Sequence, residues 1–428
     1  MSTLEHRSGS RRATLPSGPG ATYALAYGAA TFGGAFGFIA ATGLAATTGA
    51  NDNGALAVGA LLALYQVSAA LAAPYAPRLC RDASVRLVFA RVQGVSALVW
   101  LCAGVVLVVS GPSLAVLMVA AVPVGFGNGL MTVFRPILAK SYLGHEHTSG
   151  AVASMSMVIG VTWGVGALVA GWFLSTAALG WGLIIYGVSA LGLAVTVRTV
   201  EPRVEAAEVL ATTQPWRTAW ERLQGNHVVR WSAVVGVAGA LFLAPFAGLV
   251  VPIANEFRAG RPISGAGFLM ASIAVGQLCS PVVVRRLAAQ RTELWAAACS
   301  TALCGGGLIM LAVVSALMVD VVGELAVWLV IGVAFGATRF GAQALYFGAA
   351  AESGPAEDAP ANLAAVTLST LLLGPLGVIA SSAVLGATSA YVTVVAAGVG
   401  AVAVGAFVAV TASTTPGERR GGEFAPTG

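Results

Sequence analysis

Charge is nearly missing from this chain. Of its 428 residues only 9% are charged, while 57% are hydrophobic and the mean hydropathy is +0.86. No water-soluble core and surface can be built from that mixture, so a soluble enzyme or soluble binding module is excluded and an integral membrane protein is implied. Lysine is rarer still, with Lys140 alone beside 21 arginines. The 17 acidic residues all avoid the middle of the apolar runs. The net charge of +5 does not point to nucleic acid, because the basic residues separate apolar stretches instead of forming one exposed stripe.

Other absences narrow the reading further. The five cysteines, Cys80, Cys102, Cys279, Cys299 and Cys304, contain no CxxC pair and are odd in number, which excludes a disulfide framework and a zinc site. The histidines, His6, His145, His147 and His227, all lie outside the apolar runs. No nucleophile with a base, metal cluster or phosphate loop appears, so neither an enzyme nor a cofactor is expected. No run alternates with a period of two, as a membrane barrel would require. The apolar run after Arg7, Arg11 and Arg12 is too long for the core of a cleavable signal peptide, so the N-terminus is expected to stay.

What is present is a series of twelve apolar runs, from Thr22–Thr48 to Ala390–Thr411, each long enough for a helix to cross about 30 Å of hydrocarbon. Residues 199–228 are polar and divide the runs into six and six. The expected organisation is a tail over 1–20, a six-helix bundle over 21–198, a linker over 199–228, a second bundle over 229–412 and a tail over 413–428. Within the linker Trp216, Trp220 and Leu223 recur at helical spacing opposite Arg217, Glu221 and Arg222, which predicts a short amphipathic helix at the membrane surface. Assigning alternate loops to the cytoplasm leaves only Arg258 and Arg261 outside, among the basic residues that lie between spans. The positive-inside rule therefore predicts an even number of spans in the cell (inner) membrane, with both termini cytoplasmic.

The two halves resemble one another. An offset of about 207 residues places Ala73-Pro74 on Ser280-Pro281 and Arg78 on Arg285. Offsets of about 209 and about 210 place Val124–Gly127 on Val333–Gly336 and Gly164–Ala167 on Gly374–Gly377. Parallel repeats of this kind occur in secondary transporters that bind substrate near the midplane.

Six plus six helices, a polar central loop and a basic loop after helix 2 resemble the major facilitator superfamily over almost the whole chain. The loop signature G-x-x-x-D-R-x-G-R-[RK] meets the sequence at Ala73–Asp82, where Arg78 and Arg81 match. The signature's acid falls on Pro77 and its last basic residue on Asp82. The resemblance implies an all-α membrane protein whose two pseudo-symmetric bundles alternate in access. It also implies a cytoplasmic gate from Arg78, Arg81 and Arg285, with Asp82 or Glu146 as acidic partner. A helix 5 pattern ending G-P-x-x-G-G reads GALVAG at Gly166–Gly171, which is similar to exporters of the family; close helix packing explains the same glycines equally well.

Charge within a bilayer costs about 2.5 to 3.5 kcal/mol per residue on insertion scales, so every intramembrane ionisable group is a candidate for function. Arg339 lies in the helix 10 run with Gln343 one turn later, and Arg135 near the inner end of helix 4 is its counterpart. The resemblance places helices 1, 4, 7 and 10 around the cavity, where guanidinium groups would bind a carboxylate or phosphate. The alternative is that both side chains snorkel to the nearby interface. Tyr27, Thr31, Asn128, Trp163 and Gln277 are the uncharged site candidates. Asp52, Glu256 and Glu324, at the outer ends of spans, are candidates for proton uptake.

The expected function is a monomeric antiporter exporting a small amphipathic, acid-bearing drug or natural product. Its partners would be that substrate, protons and the lipid bilayer. A nutrient importer and a non-transporting sensor of the same fold are the alternatives.

Overall fold

The computed structural model describes residues 18–48, 54–75, 84–143, 148–203, 215–257, 262–317, 321–351, 353–354 and 358–414, together with Leu79. The first half contains α1 (Pro19–Thr48), α2 (Gly54–Ala72), α3 (Val85–Ser110), α4 (Leu114–Leu143), α5 (Thr148–Phe173) and α6 (Gly180–Thr199). A short linker helix, Pro215–Gly225, follows. The second half contains α7, which starts at His227 and ends at Phe257, then α8 (Pro262–Ala288), α9 (Glu293–Leu317), α10 (Val321–Ala351), α11 (Ala359–Ala387) and α12 (Ala390–Thr414). Eleven of these helices are long and apolar enough to cross a membrane, and in α5 the described apolar stretch is the shorter Met157–Phe173.

The helices are apolar on nearly every side because lipid replaces water around them. Leu25, Val109, Val119 and Leu317 point outward and are at least 74% exposed, a placement that only a hydrocarbon solvent tolerates. Local signals set some of the ends. Ser84 caps α3 by accepting from the Leu87 N–H, and Gly111, at φ +86°, ends the same helix in a conformation that favours glycine.

Within each half, helices meet through glycine. A Cβ on Gly125 of α4 would strike the Tyr65 carbonyl of α2, and one on Gly129 would strike the Ala69 carbonyl. In the second half, a Cβ on Gly336 of α10 would lie 3.1 Å from the Gly276 Cα of α8, and one on Gly332 would lie 2.6 Å from the Ser272 Cβ. Gly125 and Gly129 stand 207 residues before Gly332 and Gly336, and their contacts on α2 and α8 repeat at the same offset. For α4 and α10 the structural register is therefore 207, not the 209 that the VGFG and VAFG similarity indicates. Backbone contact decides it, because only small residues let helices approach this closely.

The repeat is broken at α7. It runs α-helically over His227–Ala238, turns π-helical over Gly239–Leu243, resumes over Ala244–Gly248 and again over Val250–Phe257. Pro245 lies two residues past the π segment; a proline within an apolar helical run predicts a bend because it has no N–H to donate into the preceding turn, and the irregularity observed here is a π-bulge. Its counterpart α1 is one unbroken helix.

The linker is tied at both ends. At its start the Arg203 N–H donates to the Ser141 carbonyl (3.1 Å), and the Tyr142 hydroxyl donates to the Val200 carbonyl (2.8 Å), which fastens it to the first half. At its end Arg222 forms a bidentate pair with Asp358, and the Asn226 side chain donates to the Ser353 carbonyl (3.0 Å) and hydroxyl (3.1 Å). Ala219 and Leu223 pack on the second half, while Trp220 is 62% exposed. Arg222, expected on the solvent face, is used in docking.

Asn226 also caps α7, accepting from the Val228 and Val229 N–H groups. Asn226→Ala should therefore lower stability by roughly 1 to 2 kcal/mol, read as a lower melting temperature in detergent. A melting temperature equal to wild type would remove the anchoring role.

Candidate substrate site between the two halves

The apolar core divides in an informative way. One buried cluster joins both halves, bringing Phe36, Ile39, Leu44 and Val58 together with Leu243, Phe246, Ile253, Phe257 and Trp328. All of these lie toward the ends of their helices far from the linker. On the linker side each half has its own cluster, built around Tyr23, Phe89, Phe134 and Tyr142 in the first and around Val229, Leu345 and Val366 in the second. The halves are thus sealed together on the far side and packed separately on the linker side. The far seal runs along two seams, α2 against α11 and α5 against α8. It reaches from Leu56–Gly386 to Gln66–Gly374 on one seam and from Gly171–Gly267 to Gly160–Leu278 on the other.

Arg135 and Arg339 lie where the shared core gives way to the separate ones. Arg135 does not snorkel to the nearby linker-side interface. Its guanidinium Nη2 donates to Asn128 Oδ1 at 3.1 Å, two turns back along α4 and so about 10 Å nearer the far side. Helix geometry favours this direction, because side chains tilt toward the helix N-terminus. Around the guanidinium stand Tyr23 and Tyr27 of α1, Tyr65 of α2 and Tyr186 of α6, all within electrostatic reach. Tyr23 stacks on Tyr142 with ring centroids 4.4 Å apart, and its buried hydroxyl has no hydrogen-bond partner.

Arg339 also reaches back along its helix. Its guanidinium carbon is 5.9 Å from the ring centre of Phe335, one turn earlier, and 5.8 Å from that of Phe340. Phe335 packs on Phe246 of α7, and Tyr346, two turns beyond Arg339, lies against Gly236 of α7. The face carrying Phe335, Arg339 and Tyr346 is thus the one turned to α7. Cation–π contact supplies the guanidinium with a partner for its charge but no hydrogen-bond acceptor.

The register of 207 relates the two sites. It places Asn128 opposite Phe335, so the two guanidinium groups, though their residues are not equivalent in sequence, end at nearly the same level of the two halves. Both arginines are half-buried. Among the described residues the only ion pairs are Arg217–Glu221 and Arg222–Asp358, both involving the linker helix, so neither intramembrane arginine has a carboxylate partner there.

The other expected site residues are placed as follows. Gln343 is exposed one turn past Arg339, and Tyr27 and Asn128 belong to the Arg135 group. Thr31 shares a hydrogen bond with Thr162 across α1 and α5, Trp163 packs on Gly34 and Phe38 of α1, and Gln277 is buried in α8. Glu256 uses its carboxylate to accept from the Ala390 N–H (2.7 Å) at the start of α12. Arg78, Arg81, Asp82, Glu146 and Asp52 lie outside the described residues, as do the side chains of Arg285 and Glu324. The expectations attached to them rest on sequence.

Tyr65, Tyr186, Phe335, Phe340 and Tyr346 were not expected in the site. A signal for some of them exists in the sequence, since six of the eight tyrosines belong to the first half and only Tyr75 of these lies outside the Arg135 group and its stacked neighbour.

Two six-helix bundles joined by a linker and sharing one buried apolar cluster on the far side are the architecture of a membrane carrier. The chain belongs to the Major Facilitator Superfamily, whose pattern matches residues 21–378, and it is a transporter of that superfamily. No curated protein sequence matches it. Among solved structures it is similar to an auto-inhibited POT family peptide transporter, at 12% identity and a TM-score of 0.71, covering 93% of this chain and 97% of that one. It is also similar to a mutant of the nucleoside transporter NupG (13% identity, TM-score 0.66) and to the human organic anion transporter TETRAN (13%, 0.65). Each of these two alignments covers 92% of this chain and 100% of the other. Likeness at such low identity establishes the fold alone.

Proposed function

We propose that this transporter exports a small amphipathic organic anion of the drug or natural-product kind by alternating access, with Arg135 and Arg339 binding the acidic group. The observation that carries this reading is the pair of guanidinium groups at one level, one from each half, without a carboxylate partner among the described residues. Guanidinium matches carboxylate, sulfonate and phosphate through two parallel hydrogen bonds, and low-dielectric surroundings strengthen the contact. Tyr27, Asn128 and Gln343 would supply polar contacts, while Thr31, Trp163 and Gln277 would line the site. The linker side is taken as cytoplasmic from its arginines, with both termini there, and the separation of the halves on that side favours loading from the cytoplasm. Arg78, Arg81, Arg285, Asp82 and Glu146 would then close that side after loading.

Cells carrying the gene should accumulate less of an acidic fluorescent dye than cells lacking it, and should tolerate more of an acidic amphipathic antibiotic. Arg339→Ala should cancel both effects, since losing hydrogen bonds to a charged group costs about 1.5 to 3 kcal/mol, or roughly 10- to 150-fold in affinity. Greater accumulation with the gene would establish import. An unchanged response to every anionic compound, with or without Arg339, would indicate a non-transporting role.

A further inference from the structure

We infer that the linker helix is a working part of the second half: a strap that binds the linker-side ends of α7, α10 and α11 and stays docked while the halves change orientation, rather than a latch that must let go for them to move. The inference concerns how the protein moves and is independent of what it carries.

The docking surface is a polar knot with apolar contacts around it. Asn362 of α11 is fully buried, and its amide donates to the Ala350 carbonyl of α10 (3.2 Å) and to the Ser353 hydroxyl (3.2 Å). The Ser353 hydroxyl donates in turn to the Ala350 carbonyl (2.7 Å) and accepts from Asn226, the cap of α7. The end of α10, the start of α11 and the start of α7 are thus tied together. The linker helix closes over the knot: Arg222 grips Asp358, the residue before α11, while Ala219 and Leu223 share one apolar cluster with Val229, Leu345 and Val366. The paired side chains are only 33% and 26% exposed. A buried polar network is costly when half satisfied, so a knot of this kind is kept or lost as a unit.

Each of the linker's two docks lies within one half. Residues 200–203 hold to Ser141 and Tyr142 of α4, whereas Arg222 and Asn226 hold to the connection between α10 and α11. The eleven residues 204–214 between the docks reach about 40 Å at full extension. Chain length therefore permits the halves to part or meet without pulling either dock loose. The knot is also not inherited from the repeat. The register of 207 places Arg222, Asn226, Asp358 and Asn362 on Leu15, Pro19, Ala151 and Met155, whose side chains cannot make these bonds. The strap belongs to the second half alone.

A contact made equally in both orientations cannot shift the balance between them, whereas a latch shifts it by whatever is lost on release. In the full chain, Arg222→Gln and Asp358→Asn should each lower the melting temperature in detergent. The double variant should fall by less than the sum of the two, because both changes break one pair. Asp358→Asn is nearly isosteric, which keeps the test open if Arg222→Gln folds poorly. The second measurement is the rate at which a cysteine placed at Ile253, in the closed far seal, reacts with an impermeant thiol reagent, with the protein lacking that cysteine as the blank for exposed Cys102 and Cys279. The strap predicts rates within about threefold of one another whether the pair is present or broken. A larger change in either direction would show that the pair is made in one orientation only, which is a latch, and would overturn the inference. Unchanged melting temperatures, or losses that simply add, would show that Arg222 and Asp358 hold nothing together and would overturn it equally.

Discussion

Replacing Arg135 with leucine is expected to abolish saturable anion transport at ordinary substrate concentrations without lowering the stability of the protein. The two effects separate because the arginine is costly where it stands. Its guanidinium is directed back to Asn128 and the tyrosines, toward the middle of the membrane, and it has no carboxylate partner among the described residues. Exchanging a buried charge for an apolar side chain of similar volume is commonly neutral or stabilising. The lost contact with substrate costs about 1.5 to 3 kcal/mol, which raises KM roughly 10- to 150-fold. Lysine should not restore function, because a single ammonium cannot make two parallel bonds to an acid while also reaching Asn128. Asn128→Ala should give an intermediate KM, since it frees the guanidinium to turn toward the interface. Transport rates over a range of substrate concentrations, with melting curves for each variant, provide the check. A large fall in melting temperature for Arg135→Leu would show that the arginine supports the fold instead.

The second large effect concerns glycine, and it depends on which surfaces the glycine joins. Gly129 brings α4 against α2 inside one half, and a Cβ there would lie 2.7 Å from the carbonyl carbon of Ala69. Backbone cannot yield as a side chain does, so Gly129→Leu should leave little folded protein. Gly171 instead brings α5 against α8 on the far side, between halves, where a Cβ would lie 2.9 Å from the Gly267 Cα and 3.1 Å from the Ile263 carbonyl oxygen. Gly171→Leu should leave each half intact and push the halves apart at that seam. Overpacking costs typically about 1 to 3 kcal/mol, enough to move an opening equilibrium roughly 5- to 150-fold. A cysteine placed at Ile253, which is 1% exposed in the closed seal, would report the shift by reacting faster with an impermeant thiol reagent added on the far side. If Gly171→Leu were lost as completely as Gly129→Leu, the seam would belong to the folding core and not to a moving interface.

The helices were legible in the sequence because length and hydrophobicity suffice to identify a span, whatever its neighbours. The irregularity at Pro245 was also legible as a bend, though not as a π-bulge, since that choice depends on how α11 presses on the turn before it: Gly377 meets the Leu241 backbone. Arg135 and Arg339 stood out through the cost of charge in lipid. Their direction did not, because a side chain near an interface has two ways to turn, and only Asn128 and Phe335 show which was taken. The tyrosines around Arg135 come from α1, α2 and α6, and no local pattern connects residues 23, 65 and 186. The register of 207 was legible in the loops after α2 and α8, but that of α4 on α10 was read two residues too long because VGFG and VAFG look alike, whereas close glycine contact is what the repeat preserves there.

The uneven division of the core has a thermal consequence. Under the proposed alternating access, opening the far side would separate a cluster made of Phe, Ile, Leu, Val and Trp, while closing the linker side would bring together surfaces that contain tyrosine hydroxyls and guanidinium groups. The two motions therefore exchange unequal amounts of hydrated apolar surface, and hydrated apolar surface carries heat capacity. The balance between the two orientations is thus a curve in temperature and not a straight van't Hoff line. On cooling, the weakening of apolar contact loosens the far seal first.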